Sequence, residues 1–182
     1  MMSRLFAVVT AAAAVLVAAT GCGSSSATET NEKAVAWSEQ VCKTIEAGGL
    51  KLSQLPKVDP ANPSSQKDGA LGYLGTLVES LDGVANGIRA AGVPPVTDGQ
   101  STMDKALGTV DKAKASIEGA RASIGKAPAN DPLALQKAMA EAGGALQVAS
   151  AEGPAKDLKA NPELSKAFAE SATCRKVGGA NG

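Results

Sequence analysis

Three thiols and one hydroxyl–lysine string are the reactive groups that this chain of 182 residues sets in a recognisable pattern. Cys22 follows directly on an apolar N-terminal run. A thiol there, freed as a chain terminus at a membrane surface, can take a lipid through a thioether bond. Cys42 and Cys174 lie near the two ends of the remaining chain and can be oxidised to a disulfide. In Ser64-Ser65-Gln66-Lys67 a serine and a lysine stand one helical turn apart, so that the amine could take a proton from the hydroxyl. Histidine is absent, which removes both the commonest general base and the commonest metal ligand.

The elements around Cys22 decide what its thiol does. Met1 to Arg4 is a short basic start, and Leu5 to Ala19 is uncharged and apolar apart from Thr10. Crossing about 30 Å of hydrocarbon takes about 20 such residues, and the polar tract from Gly23 begins too soon. The run is therefore expected to be the hydrophobic region of a signal peptide, not a membrane span. Ala19-Thr20-Gly21-Cys22 resembles a bacterial lipoprotein signal, with alanine where leucine is commonest. The resemblance implies cleavage before Cys22 and lipidation of Cys22, with a diacylglyceryl group and fatty chains such as palmitate. Two buried chains at about 0.8 kcal/mol per methylene hold a protein stably, whereas one does not. The expected organisation is a signal peptide over 1–21, a lipidated flexible tether over 22–31 rich in Ser, Gly and Thr, a helical-bundle domain over 32–177 and a disordered tail over 178–182. Ordinary secretion, with Cys22 a bystander thiol, is the alternative.

Without residues 1–21 the chain keeps 17 basic and 18 acidic side chains, a net charge of −1. That balance leaves no basic field for nucleic acid. About 160 residues suit one domain. Aromatic residues are few: Phe6 in the signal, then Trp37, Tyr73 and Phe168. No segment alternates with period two, while apolar residues recur at intervals of three and four, so the expected fold is all-α.

The first helix is expected from Asn31 to Ala47, with Ala34, Trp37, Val41 and Ile45 on one stripe and Gly48-Gly49 as its stop. Pro56, Pro60 and Pro63 predict a loop. Ser65 and Asp68, three apart, predict the start of a second helix that carries Leu71, Leu74, Val78, Leu81, Ala85 and Ile88 and ends at Gly92 before Pro94-Pro95. Ser101 and Asp104 predict a third, with Met103, Leu107, Val110, Ala113, Ile117, Ala120 and Ile124 inward. Asp131-Pro132 opens a fourth, which Gly153-Pro154 ends, and Asn161-Pro162 opens a fifth through Leu164, Phe168 and Cys174. The result is a four- to five-helix bundle.

With Cys22 spent on lipid, Cys42 and Cys174 remain as an even pair in an oxidising compartment, and a disulfide between the first and last helices is expected. Two buried free thiols are the alternative. Ala36-Trp37 with Val41-Cys42, then Ala90 to Val96 with Gly99, then Asn161 to Leu164 with Phe168 and Cys174, together resemble the small secreted lipoproteins of actinobacteria. That resemblance implies a disulfide-clasped helical bundle outside the membrane, and carries no activity, ligand or catalytic residue with it.

Other constellations explain themselves structurally. Ser64 to Lys67 matches the Ser-x-x-Lys spacing of serine acyl enzymes acting on cell-wall peptides, but no Ser-Asp-Asn or Lys-Thr-Gly partner follows. Acidic residues are spread along helices without metal-ligand spacing, so no metal or cofactor is expected. The function expected from residues alone is a lipid-anchored, non-enzymatic binding or scaffolding protein of the cell envelope, partnered by the membrane through its anchor and by an envelope protein. A carrier of an apolar ligand, held in a cavity among Leu74, Leu81, Leu107, Ile117 and Leu146, is the alternative from another class. A cell-wall hydrolase is the third.

Overall fold

Two long helices form the spine because their apolar residues recur on one side at spacings of three and four. The computed structural model describes residues 24–53, 58–151 and 153–179. In it α1 runs Ser24–Ser53, α2 Pro63–Ala91, α3 Gly99–Lys126, α4 Pro132–Ala151, α5 Pro154–Lys159, α6 Pro162–Glu170 and α7 Ala172–Gly179, with no strand among the described residues. The expected signal peptide and Cys22 lie outside the described residues, as does 180–182 of the expected tail.

α2 and α3, at 29 and 28 residues, are each about 42 Å long and antiparallel. Asp82 pairs with Lys114 midway, and the Lys67 ammonium donates to the carbonyls of Gly125 and Ala127 at the far end. Hydrogen bonding to Asp82 raises the Lys114 pKa, so this cross-helix contact is charged on the amine side throughout the physiological range.

Two cores form along this spine. Trp37 and Val41 of α1, Val84 and Ile88 of α2, and Ala106 and Val110 of α3 pack with Leu158, Leu164, Phe168 and Cys174 from the short helices. At the other end Leu74 of α2, Ile117 and Ile124 of α3, and Leu135, Ala138 and Ala142 of α4 make the second core. The five residues expected to line a carrier cavity belong to both: Leu74, Ile117 and Leu146 to the second, Leu107 to the first, and Leu81 touches each.

The all-α bundle is as expected, but several boundaries moved, each for a local physical reason. Gly48-Gly49 does not stop α1, which continues to Ser53. Gly48 is instead a point of close approach between α1 and α2: a Cβ there would sit 3.2 Å from Ser80 Cβ. The expected tether is helical from Ser24. Its Ser-rich composition suggested a flexible chain, but extending a nucleated helix costs little, and the Glu29–Lys33 pair one turn apart at 2.6 Å supports it.

α2 begins earlier than the Ser65–Asp68 pattern predicts. Asn62 is its cap, accepting the backbone N–H groups of Ser64 and Ser65, and Pro63 opens the helix. This is the Asn-Pro signal that also starts α6, where Asn161 accepts from Glu163 and Leu164. Gly153-Pro154 ends α4 and also starts α5. The expected fifth helix breaks at Ser171, whose extended backbone lets its hydroxyl accept the Cys174 N–H and so cap α7.

The α2–α3 turn ends at a glycine for a packing reason. Gly99 is buried, and a Cβ there would collide with the Pro94 carbonyl. G99A is therefore expected to lower stability by about 1 to 3 kcal/mol, read as a lower denaturant midpoint at unchanged slope.

Candidate functional site at the disulfide clasp

Cys42 sits on the α1 stripe one residue after Val41, and Cys174 one turn into α7, so both thiols face the first core. They are joined: Cys42 and Cys174 form a disulfide across a sequence separation of 132, with Cα atoms 5.1 Å apart. Cys174 Sγ also lies 3.2 Å from the Ser38 carbonyl oxygen, but bonded to Cys42 it has no proton to donate. The pair expected from the cysteine count is thus brought together, and the free-thiol alternative is excluded.

Beside the bond stands a residue that sequence reading missed. Glu39 accepts from the Ser171 hydroxyl at 2.6 Å, from the Thr173 N–H at 3.0 Å and from the Thr173 hydroxyl. Hydrogen bonds from Ser171 and Thr173 hold its carboxyl well below the ordinary glutamate value of 4.5, at about 2. Nothing in the local sequence marks Glu39, because its partners lie more than 130 residues away along the chain. The available signal was in α7, where Ser171 precedes Cys174 at capping distance.

A lowered carboxylate pKa stabilises the fold at pH above the unfolded value and loses that contribution as pH falls through the folded one. Stability supplied by Glu39 should be complete above about pH 4.5 and vanish towards about pH 2. Thermal melts across that window should show the wild type losing Tm more steeply than E39Q. Parallel profiles would show that Glu39 does not hold the clasp.

Ser38, fully buried next to Glu39, has a hydroxyl with no hydrogen-bond partner among the described residues. An orphan of this kind costs about 1 to 3 kcal/mol.

Two surface cavities flank the clasp. One, of about 560 Å³, lies between Asn31, Val35 and Glu39 of α1 and Glu170 to Ala172. Asn31 donates across its rim to Glu170 at 2.7 Å. The other, of about 400 Å³, is bordered by Lys159, Phe168 and Arg175, with the Lys159 ammonium 5.9 Å above the Phe168 ring. Arg175 donates to the Ala169 and Glu170 carbonyls and so closes the C-terminal end of α6.

α5 and α6 are fastened to the rest by charge and by caps. Burial pushes the Asp157 carboxyl up, but the Thr109 hydroxyl at 2.5 Å and Lys105 at 3.2 Å outweigh it and leave its pKa lowered. Asn161 donates to the Thr97 carbonyl at 2.7 Å, which ties the start of α6 to the α2–α3 turn.

The hydroxyl–lysine string is used structurally. Lys67 is held by two carbonyls at the end of α3, at 2.8 and 2.7 Å, and Ser65 Oγ accepts the Asp59 N–H. Ser64 is exposed at the α2 start, where its backbone N–H donates to Asn62. Among the described residues no group of three or more His, Cys, Asp or Glu could hold a metal ion, and no helix is long and apolar enough to cross a membrane. Compared with known proteins, the chain matches no family model, no curated protein and no solved structure.

Proposed function

We propose that this chain is a lipid-anchored protein of the outer face of a bacterial cell membrane, where its helical bundle acts by binding or scaffolding, without catalysis. The observation that carries the reading is the Cys42–Cys174 disulfide. A bond of this kind forms and persists in an oxidising compartment, and so it supports export of the chain. It also accounts for two of the three cysteines, leaving Cys22 as the one placed for acylation at the end of the apolar run. Lys67, the amine a hydrolase would draw on, is committed to two carbonyls at the end of α3, which favours a role in recognition.

The anchor is tested on the full-length chain expressed in a bacterium. Detergent-phase partitioning and intact mass should show cleavage before Cys22 and two or more acyl chains on the mature protein. C22A should abolish both and leave the fold intact, as read by circular dichroism. Recovery of unprocessed wild-type protein from the cytosol, with Cys42 and Cys174 reduced, would end the reading.

A further inference from the structure

α1 and α2 lie antiparallel in a register set by three contacts. Gly48 meets Ser80, Thr44 meets Gly83 and Gly87, and the Trp37 indole N–H donates to the Gly92 carbonyl at 2.8 Å. Trp37 therefore marks the level of the α2–α3 turn. The part of α1 that precedes it, from Ser24, extends past that turn by about 20 Å. The Asn31–Glu170 hydrogen bond ties this overhang to the end of α6, and beyond it Ala27 to Thr30 are exposed to solvent.

In the sequence only Gly23 separates Cys22 from Ser24. Those two residues can span at most about 7 Å. We infer that α1 is a stalk that stands the bundle on the bilayer with the α2–α3 turn and the α6–α7 junction facing the lipid headgroups, an orientation that rests on the acylation of Cys22 proposed above. A flexible tether would let the bundle tumble, whereas a helix continuous with the core transmits the position of its own start. Val93, 51% exposed on the α2–α3 turn, is then an apolar side chain facing the headgroup region. Leu133, 78% exposed at the start of α4, points to the other end of the spine, about 40 Å further from the membrane.

The orientation can be measured on the mature lipidated protein in phosphatidylcholine vesicles carrying a headgroup-linked rhodamine acceptor. With Cys22 acylated and Cys42 bonded to Cys174, V93C or L133C supplies the single thiol for a donor dye. Energy transfer from position 93 should exceed that from position 133 by at least about twofold, given the length of the spine. E29P, which breaks the stalk at an exposed site, should shrink that difference while leaving Tm unchanged. Equal transfer from the two sites, or a difference untouched by E29P, would overturn the orientation even with the lipid in place. Dye uptake at Cys22 in the parent protein would reveal an unacylated thiol and overturn the anchor together with it.

Discussion

Replacing Cys42 and Cys174 together by alanine should lower Tm by roughly 10 to 15 °C. The bond closes a loop across a separation of 132 residues. In the chain-entropy picture such a loop removes about 4 to 5 kcal/mol of freedom from the unfolded chain, an upper figure because unfolded chains keep some structure. Both cysteines are buried, so alanine also removes packing from the first core. A loss of that size is a large fraction of the roughly 5 to 15 kcal/mol that stabilises a domain. The wild type measured with reductant should fall to nearly the same Tm as C42A/C174A. If reduction leaves the melt unchanged while both thiols become alkylatable, the bond contributes nothing and the clasp is held by packing and Glu39 alone.

W37A should cost about 3 to 5 kcal/mol. Trp37 is 5% exposed and packs in the first core, among residues contributed by α1 to α3 and by the short helices. Its truncation opens a cavity that this small-residue core cannot readily fill, and it strands the Gly92 carbonyl to which the indole donates. W37F separates the two effects in part, since it keeps one aromatic ring in the core and loses the hydrogen bond, itself about 1 kcal/mol, together with the rest of the indole. Denaturant unfolding followed by far-ultraviolet circular dichroism measures both variants, because Trp37 is the chain's only tryptophan and cannot serve as its own probe. A W37A midpoint equal to wild type would place the indole outside the core.

Much of the fold was legible because its rules are local. Asp131 and Asn161 as caps, prolines at first helical positions, and apolar residues spaced three and four apart all act within one or two turns of a helix. The Asn62-Pro63 start carries the same signal, whereas Ser65 and Asp68 are a weaker version of a cap pattern with aspartate in the glutamate place. Gly48-Gly49 shows where composition misleads. A glycine pair reads as a stop, yet Gly48 is there so that α1 can approach Ser80. The break at Ser171 was hidden for a related reason: besides capping α7, its hydroxyl donates to Glu39 on another helix, a contact that no local pattern announces.

The residues alone settled the helical class and marked Cys42 and Cys174 as the expected pair, because periodicity, capping and cysteine placement are read along the chain. They also placed Cys22 at the end of the apolar run. Tertiary structure decided that Glu39 faces Ser171 and Thr173, that Lys67 closes α3, and that the apolar stripes divide into two cores around one spine. It also decided that the stretch read as a tether is the start of α1. Each of these depends on how helices far apart in sequence lie beside one another, which is set by the shapes of the packed faces and not by the order of residues within any one of them.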